Sequence, residues 1–298
     1  MSVSTVKREL LVRHLEAWAP AALHRARRVV YLHGYADVGA GAAAEAALRV
    51  LTEQADLVRG RELTMVAIGD DLSTVGGRLD AVRGEAGEAP GLTVHAISGG
   101  TEGRVAVALK AAGATRVPLL GYLDATGASE PPAPATVAAL VAGKPAEVIL
   151  VLAPGVSAEP YADGWPLATR VELATGDEPG ELLFFGTTSG KSLESFKEAL
   201  WAVDEFAGVR YRDPGDPDRH LIDISLSPHP GPLRRELLAH LQRVGAATVS
   251  ELRTFALTET VYRAADATRV LHTLVDSGAI SRRPEQGRLG GDVVVTIA

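Results

Sequence analysis

The chain has 298 residues, 46% of them hydrophobic, a formal net charge of -7 and no cysteine. This length predicts one large domain with a smaller one, or two domains of similar size. The acidic balance argues against general coating of nucleic acid, and the lack of cysteine excludes disulfides, thiolate metal sites and a cysteine nucleophile. No apolar run of eighteen residues and no signal-like segment occurs, so we expect a cytoplasmic protein without a membrane span.

The first predicted element is an amphipathic helix over residues 4–26, in which leucines and Trp18 recur at spacings of three and four. Pro20 lies well inside it and predicts a break or a kink. Apolar segments and helical segments then alternate. Strands are predicted over 29–32, 63–71, 91–99, 116–127 and 146–154, and helices over 42–55, 74–85, 102–112 and 134–142.

This alternation predicts an α/β fold with a Rossmann-like, mostly parallel sheet and helices on both faces. In such sheets a ligand binds beyond the carboxyl ends of the strands. Further along the chain we predict a loop over 155–180, a sixth strand over 181–189, a helix over 191–206 and a turn-rich break over 212–218.

The last segment changes character. It predicts three helices, the second opened by a capping box from Thr248 to Glu251, followed by a charged hairpin. Three short helices and a hairpin indicate a winged helix. The predicted division is an N-terminal helix over 1–26, a Rossmann-like domain of the methyltransferase type over 27–212, and a winged-helix domain over 228–298.

The stretch VVYLHGYADVGAG, residues 29–41, joins the first strand to an alanine-rich helix through a glycine loop. Such a loop lets backbone N–H groups approach a ligand closely. Three interpretations stay open: an ordinary loop, a site for S-adenosylmethionine, or a dinucleotide site that uses the G-x-G-x-x-A match at 39–44. The candidate cofactor-binding residues of this loop are His33, Gly34, Tyr35, Asp37, Gly39 and Gly41.

Acidic residues close two other strands. Asp70 and Asp71 follow the second strand, where an acid accepts hydrogen bonds from ribose hydroxyls, begins a turn or caps the next helix. Asp124 closes the fourth strand, so it is either a catalytic residue that faces the reacting group or the start of a loop that Gly127 completes. The glycine turn over 98–104 either lines the same pocket or caps the helix after it.

Other kinds of site receive less support. The histidines are scattered and show no spacing typical of metal ligands, so no metal site is predicted. The motif G-x-S-x-G is absent, which argues against the nucleophile elbow of a hydrolase. From residue 228 onward the chain carries nine arginines, no lysine and seven acids. Winged helices bind DNA through a recognition helix and a basic wing. Other winged helices bind proteins or serve as packing modules within their own chain. The candidate contacts to nucleic acid or to a protein partner are Arg263, Arg269, Arg282 and Arg283.

Four segments resemble, in the same order, the three-Cys-motif partner proteins, a bacterial family with a methyltransferase-like sheet and a C-terminal winged-helix segment. The segments are VKRELLVRHLEAWAP, VVYLHGYADVG, GKSLESFKEALWAVD and VSELRTFALTETVYRAADATRVLHTLVDSGAI. The resemblance spans nearly the whole chain and is most specific over 192–204 and 251–280. It implies a domain that uses S-adenosylmethionine and a possible protein partner, since the family is named after a cysteine-bearing neighbour.

The first family motif is Asp-Gly-Phe-Ala-Gly-x-Gly. Gly34, Ala36 and Gly39 match it, whereas His33 replaces the acid and Asp37 replaces the first loop glycine. A carboxylate at position 37 would repel a cofactor carboxylate, or would hold the cationic amino or sulfonium group instead.

Two further motifs also depart from the family. The acid expected within the second strand falls at Ile68, although Asp70 matches a following acid. The family's Asp-Pro-Phe-Gly keeps Asp124 and Gly127 but has Ala-Thr between them. An aromatic residue and a proline after that acid hold target amino groups in base methyltransferases, so their loss weakens the case for base N-methylation.

Three hypotheses follow. The first is a methyltransferase, or a close relative, that uses S-adenosylmethionine on an unknown substrate. The second is a degenerate methyltransferase fold without catalysis, acting as a binding or regulatory protein through its winged helix. The third is a dinucleotide oxidoreductase. Whether the chain is an enzyme depends on which of these holds, and the oligomeric state cannot be read from the sequence.

Overall fold

A computed structural model describes residues 2–54, 60–87, 89–203 and 208–298. Helix α1 (Val3–Arg25) begins the chain and continues through Pro20, so the predicted break is absent. One face of α1, which includes Leu11, Leu15 and Trp18, is buried. This packing keeps the helix continuous where proline removes a hydrogen bond, because tertiary burial supplies most helical stability.

The elements that follow alternate as the sequence predicts. They are β1 (Arg28–Gly34), α2 (Ala42–Glu53), β2 (Glu62–Gly69), α3 (Ser73–Ala86), β3 (Leu92–Ser98), α4 (Thr101–Ala111), β4 (Leu119–Asp124), α5 (Pro134–Ala138) and β5 (Ala146–Leu152). The chain continues with β6 (Leu167–Ala174), β7 (Glu181–Thr187), α6 (Gly190–Trp201), β8 (Arg210–Arg212) and β9 (Leu221–Asp223). The predicted ends of two helices, at residue 55 and at 204–206, lie outside the described residues.

These strands form one nine-stranded sheet in the order β3-β2-β1-β4-β5-β7-β6-β8-β9. Strands β1 to β5 pair in parallel, and the pairings from β5 to β9 are antiparallel. Only β7 and β8 therefore run against the common direction of the described strands. The chain order reverses between β1 and β4, which lie side by side. The prediction of a Rossmann-like, mostly parallel sheet is confirmed, and this reversal is the switch point at which such sheets bind ligands.

The prediction of a loop over 155–180 is wrong, because β6 lies there. Its sequence LATRVELA carries polar residues at buried positions, which hides the alternation typical of a strand. Glu172 is 7% exposed and pairs with the guanidinium of Arg212 on β8, 2.5 Å from Oε1 to Nη1. A buried carboxylate is stable when it is paired in this way. The same pairing helps to hold β8, which ends at the first residue of the predicted turn-rich break, in the sheet.

Helices cover both faces of the sheet. On β1, Tyr31 faces a hydrophobic core that includes residues of α1, α2 and α3, whereas Val30 and Leu32 face a core that includes residues of α4. Successive strand residues point to opposite faces, so β1 is buried on both sides and reads as a continuous apolar run. None of the described helices is long and apolar enough to cross a membrane.

The C-terminal segment forms a second, smaller sheet. Its elements are α7 (Gly231–Val244), β10 (Ala246–Thr248), α8 (Val249–Glu259), α9 (Ala264–Asp276), β11 (Ile280–Arg283) and β12 (Val294–Ile297), with strand order β10-β12-β11. The predicted capping box of Thr248 and Glu251 is present. The indole of Trp201 on α6 donates to the Val261 carbonyl at 3.0 Å. One hydrophobic core extends from the large sheet into this segment, and the domain limits stay a prediction.

Candidate functional site

A cleft of about 990 Å³ opens at the carboxyl edge of the sheet, where β1 and β4 lie side by side. The loops after β1, β2 and β4 and the start of α4 form its walls. Four of the predicted residues line it: Tyr35, Asp37, Gly39 and Asp70. The charged side chains among its described lining residues are all carboxylates, namely Asp37, Asp70, Glu102 and Glu130. The cleft therefore offers an acidic surface at the switch point of the sheet.

The glycines of the β1 loop have different roles. A Cβ at Gly34 would lie 2.4 Å from Leu123 Cδ2, and one at Gly41 would lie 2.9 Å from Val75 Cγ2. At Gly39, with φ +61°, a Cβ would meet nothing within 4 Å. Packing therefore requires glycine at 34 and 41, and only Gly39 presents backbone to the cleft. This corrects the expectation that all three glycines hold a cofactor.

Asp37 ties two loops together. Its Oδ2 accepts hydrogen bonds from the backbone N–H groups of Asp70 at 3.1 Å and of Asp71 at 3.2 Å. The carboxylate thus satisfies two donors at the end of β2, which gives a structural reason for an acid where the resembled family has glycine. The charge of Asp37 remains on the cleft wall.

The two neighbouring acids after β2 separate in space. Asp70 lines the cleft, whereas Asp71 accepts the backbone N–H of Ser73 at 2.9 Å and does not line it. The hydrogen bonds from Ser73 lower the pKa of the Asp71 carboxyl. Asp71 therefore forms a turn directly before α3, whose N-cap residue is Leu72, so the turn alternative for this acid pair holds at Asp71 and the cap does not.

Glu102 joins the two sides of the cleft, and the sequence analysis missed it. Its Oε1 accepts the Tyr35 hydroxyl at 2.8 Å, and its Oε2 accepts the Ala133 N–H at 3.2 Å and the Thr136 hydroxyl at 2.6 Å. Burial and this hydrogen bond raise the pKa of the Tyr35 phenol well above its usual range. The glycine turn over 98–104 was the sequence signal that could have identified Glu102, because this turn places Glu102 in the first turn of α4, at the cleft.

Asp124 does not line the cleft. It is 6% exposed, and its Oδ2 lies 2.7 Å from Nζ of Lys7 on α1. Its Oδ1 accepts the Thr126 hydroxyl at 2.6 Å, and Lys7 also pairs with Glu181 at 2.8 Å. The expectation that Asp124 faces a reacting group is corrected by these partners, which hold it in the interior under α1. No signal in the sequence points to Lys7, whose ammonium group pairs with Asp124 and separates this carboxylate from solvent on the α1 side.

His33 belongs to the same sealed region. It is 2% exposed, its Nδ1 lies 2.7 Å from the Tyr31 hydroxyl, and its ring centroid lies 4.9 Å from that of Tyr122. Burial lowers the pKa of His33 to about 4, against the opposing effect of the Asp124 carboxylate. The histidine is therefore neutral at pH 7 and points away from the cleft, which corrects its assignment to the cofactor loop.

The four predicted arginines divide into two pairs. Arg263 precedes α9 and is buried, with its guanidinium on Asp266 at 2.8 Å. The Arg282 guanidinium donates to backbone carbonyls of the hairpin tip, including those of Pro284 and Gly287 at 2.8 and 2.9 Å. Because Arg263 is held in the interior, its assignment as a partner contact is corrected, whereas Arg282 is half-buried and its assignment stays a prediction. Arg269 and Arg283 have side chains that reach solvent.

Within the described part of the chain, one group has side chains close enough to share a metal ion: Asp216, Asp218 and His220. The Asp216 carboxylate accepts the backbone N–H groups of both other residues, at 3.0 and 2.9 Å. These hydrogen bonds describe an ordinary turn, so the cluster is explained without a metal.

The sequence matches no protein-family model and no curated protein. Among solved structures, a spermidine synthase in complex with the transition-state analogue AdoDATO gives a TM-score of 0.36 at 10% identity, over 63% of this chain and 62% of that one. The pyocyanin biosynthetic protein PhzM gives a TM-score of 0.27 at 12% identity, over 58% and 55%. This chain therefore spans less than two thirds of either protein. Similarities this low carry no inference about function.

Proposed function

We propose that the protein binds S-adenosylmethionine in the carboxyl-edge cleft, as a member of the methyltransferase-type proteins. The observation that carries the proposal is the acidic lining of the cleft at the switch point of the sheet. S-adenosylmethionine carries a sulfonium and an ammonium group against one carboxylate, so its net charge is positive. Carboxylates favour a nearby cation and disfavour a nearby anion, so this lining selects a positively charged nucleoside.

The same charge distribution argues against a dinucleotide. A pyrophosphate would face Asp37 and Asp70 with like charge, and no basic side chain is among the described residues that line the cleft. Dinucleotide sites place the pyrophosphate on a glycine loop at a helix N-terminus. Here Asp37 lies in the β1 loop two residues before Gly39, and a Cβ at Gly41, which precedes α2, would lie 2.9 Å from Val75 Cγ2.

Three residues of the cleft would contact different parts of S-adenosylmethionine. The exposed Asp70 would hold the ribose hydroxyls, Gly39 would let the ligand approach the backbone, and Asp37 would face the cationic end. Methyl transfer gains much of its rate from proximity and orientation, so it does not require a base at Asp124. Asp124 is therefore assigned a structural role in this proposal.

A second candidate function is a binding protein without catalysis, and the Lys7–Asp124 ion pair favours it. The pair buries the acid that would face a substrate. We propose that such a protein acts through its C-terminal segment as a winged helix, since the order of helix, strand, two helices and hairpin is the one that a winged helix requires. Arg269 and Arg283 would contact the partner. A gel shift with duplex DNA that persists in the R269A/R283A variant would count against this surface.

Calorimetric titration tests the main proposal. We expect S-adenosylmethionine and S-adenosylhomocysteine to bind with micromolar dissociation constants and NAD⁺ to show no heat of binding under the same conditions. Absence of binding by both adenosyl ligands to the folded protein would reject the proposal. Comparable binding of NAD⁺ would reject the argument from charge.

A further inference from the structure

A second, smaller pocket lies at the opposite, amino edge of the parallel strands. It has a volume of about 260 Å³ and is formed by α1, the start of β5 and the first turn of α6. Arg25 and Lys191 carry its positive charge, and Glu147 lies inside it. None of the residues that form it belongs to the carboxyl-edge cleft.

Two buried polar atoms in this pocket lack partners. His14 is 1% exposed and Trp18 is 5% exposed, and both line the pocket. Neither Nδ1 of His14 nor Nε1 of Trp18 has a hydrogen-bond partner among the described residues. A buried polar group without a partner is destabilising, so each atom calls for an explanation.

The neighbours of His14 define what the free atoms require. Its Nε2 lies 2.9 Å from Oε2 of Glu147, and the Ser192 hydroxyl donates to Oε1 at 2.6 Å. Both carboxylate oxygens are therefore occupied. Nδ1 of His14 therefore requires a partner that can donate or accept a hydrogen bond, whereas the Trp18 indole N–H requires an acceptor. A hydroxyl meets the first requirement, because it both donates and accepts, and a carboxylate oxygen meets the second.

We propose that this pocket binds a small hydroxycarboxylate. Its hydroxyl would pair with His14 Nδ1, and its carboxylate would accept from Trp18 Nε1 and face Arg25 and Lys191. The N-terminus of α6, a helix of 12 residues, adds a favourable dipole for the negative charge. One ligand of this kind would supply hydrogen-bond partners to His14 Nδ1 and Trp18 Nε1 and place its negative charge near Arg25 and Lys191.

Glycolate, acetate and glycolamide form a matched series of probes that removes the hydroxyl or the charge in turn. We expect glycolate to shift the Trp18 indole N–H resonance in ¹H–¹⁵N spectra and to bind about tenfold more tightly than either analogue, which is the effect of losing one good hydrogen bond or the charge. The W18F variant assigns the resonance and should lose about tenfold in affinity. The R25Q variant should weaken binding, whereas R8Q, at an exposed site on the same helix, should not.

The proposal is overturned if none of the three probes shifts the resonance in the folded protein, or if acetate and glycolamide match glycolate. It is also overturned if crystals soaked in glycolate show only water between His14 and Trp18. Since this pocket and the carboxyl-edge cleft share no residue, these results do not depend on whether S-adenosylmethionine binds.

Discussion

The carboxyl edge of the sheet has two sides that use charge in opposite ways. On the side of α4, carboxylates line an open cleft, and Asp70 and Glu130 are exposed to solvent. On the side of α1, the carboxylate of Asp124 is buried and paired with Lys7. An unpaired carboxylate in the open can meet a cationic ligand, whereas one that is already neutralised in the interior contributes to the fold. The comparison shows that an acid at a strand end is not by itself a functional residue.

The largest expected effect concerns the α1 side of the carboxyl edge, where Lys7 pairs with Asp124. The K7M variant leaves the buried Asp124 and the half-buried Glu181 without their cation, and we expect the free energy of unfolding to fall by about 3–5 kcal/mol in urea denaturation, mainly through Asp124. The R8M variant, at the next and exposed position, should change stability by less than about 0.5 kcal/mol. Adding D124N to K7M should restore part of the loss. A K7M protein as stable as the wild type would show that the pair does not seal this side.

The next effect is a pH dependence that arises from His33. Its pKa falls from the ordinary value of 6.5 to about 4 on folding, so between these values the unfolded state holds the proton and the folded state does not. Stability from this group is therefore complete above pH 6.5 and falls as the pH drops, by about 3 kcal/mol at most. Glu236, whose pKa burial raises to about 8, acts in the opposite direction over part of this range.

The measurement is therefore a difference between two proteins. Urea denaturation of the wild type and of the H33Q variant at pH 7.5, 6 and 5 isolates the histidine, because all other groups titrate in both. We expect the wild type to lose stability relative to H33Q as the pH falls. Parallel curves would mean that His33 is not buried as a neutral ring.

A smaller effect separates the glycines of the β1 loop. The G34A variant forces a Cβ to 2.4 Å from the buried Leu123 side chain, so we expect a loss of about 1–3 kcal/mol in the free energy of unfolding. The G39A variant has open space but a φ of +61°, and should lose about 1 kcal/mol. Only G39A should weaken binding of S-adenosylmethionine beyond what its stability explains. The reverse order of stabilities would contradict the packing role of Gly34.

The smallest effect concerns the paired acids after β2. The D70N variant removes a charge that lines the cleft, and we expect binding of S-adenosylmethionine to weaken about tenfold. The D71N variant is the matched control, since Asp71 lies outside the cleft and accepts the Ser73 N–H in a turn. Calorimetry on both variants measures the difference. Equal losses would assign the effect to general charge and not to Asp70.

The sequence predicts the framework of the fold because its signals are local. The alternation of apolar strands and amphipathic helices, and the capping box at Thr248, depend on neighbours along the chain. Strand β6 escaped prediction because Glu172 is buried through a partner on β8, and such pairing has no local signature.

The site was predicted in part for the same reason. The glycine loop, the acids after β2 and the turn before α4 were correctly placed near one another by topology. The sequence gives no sign that Lys7 reaches Asp124, or that Glu102 reaches Tyr35, because these contacts join residues far apart in the chain. Only the folded arrangement separates an acid that lines the cleft from one that is ion-paired in the interior.

The most direct test of this two-sided edge is a crystal structure with S-adenosylhomocysteine bound. We expect electron density for the adenosine in the cleft beside Asp70 and Glu102, with the Lys7–Asp124 ion pair unchanged. Density on the α1 side, with Lys7 displaced from Asp124, would contradict this expectation.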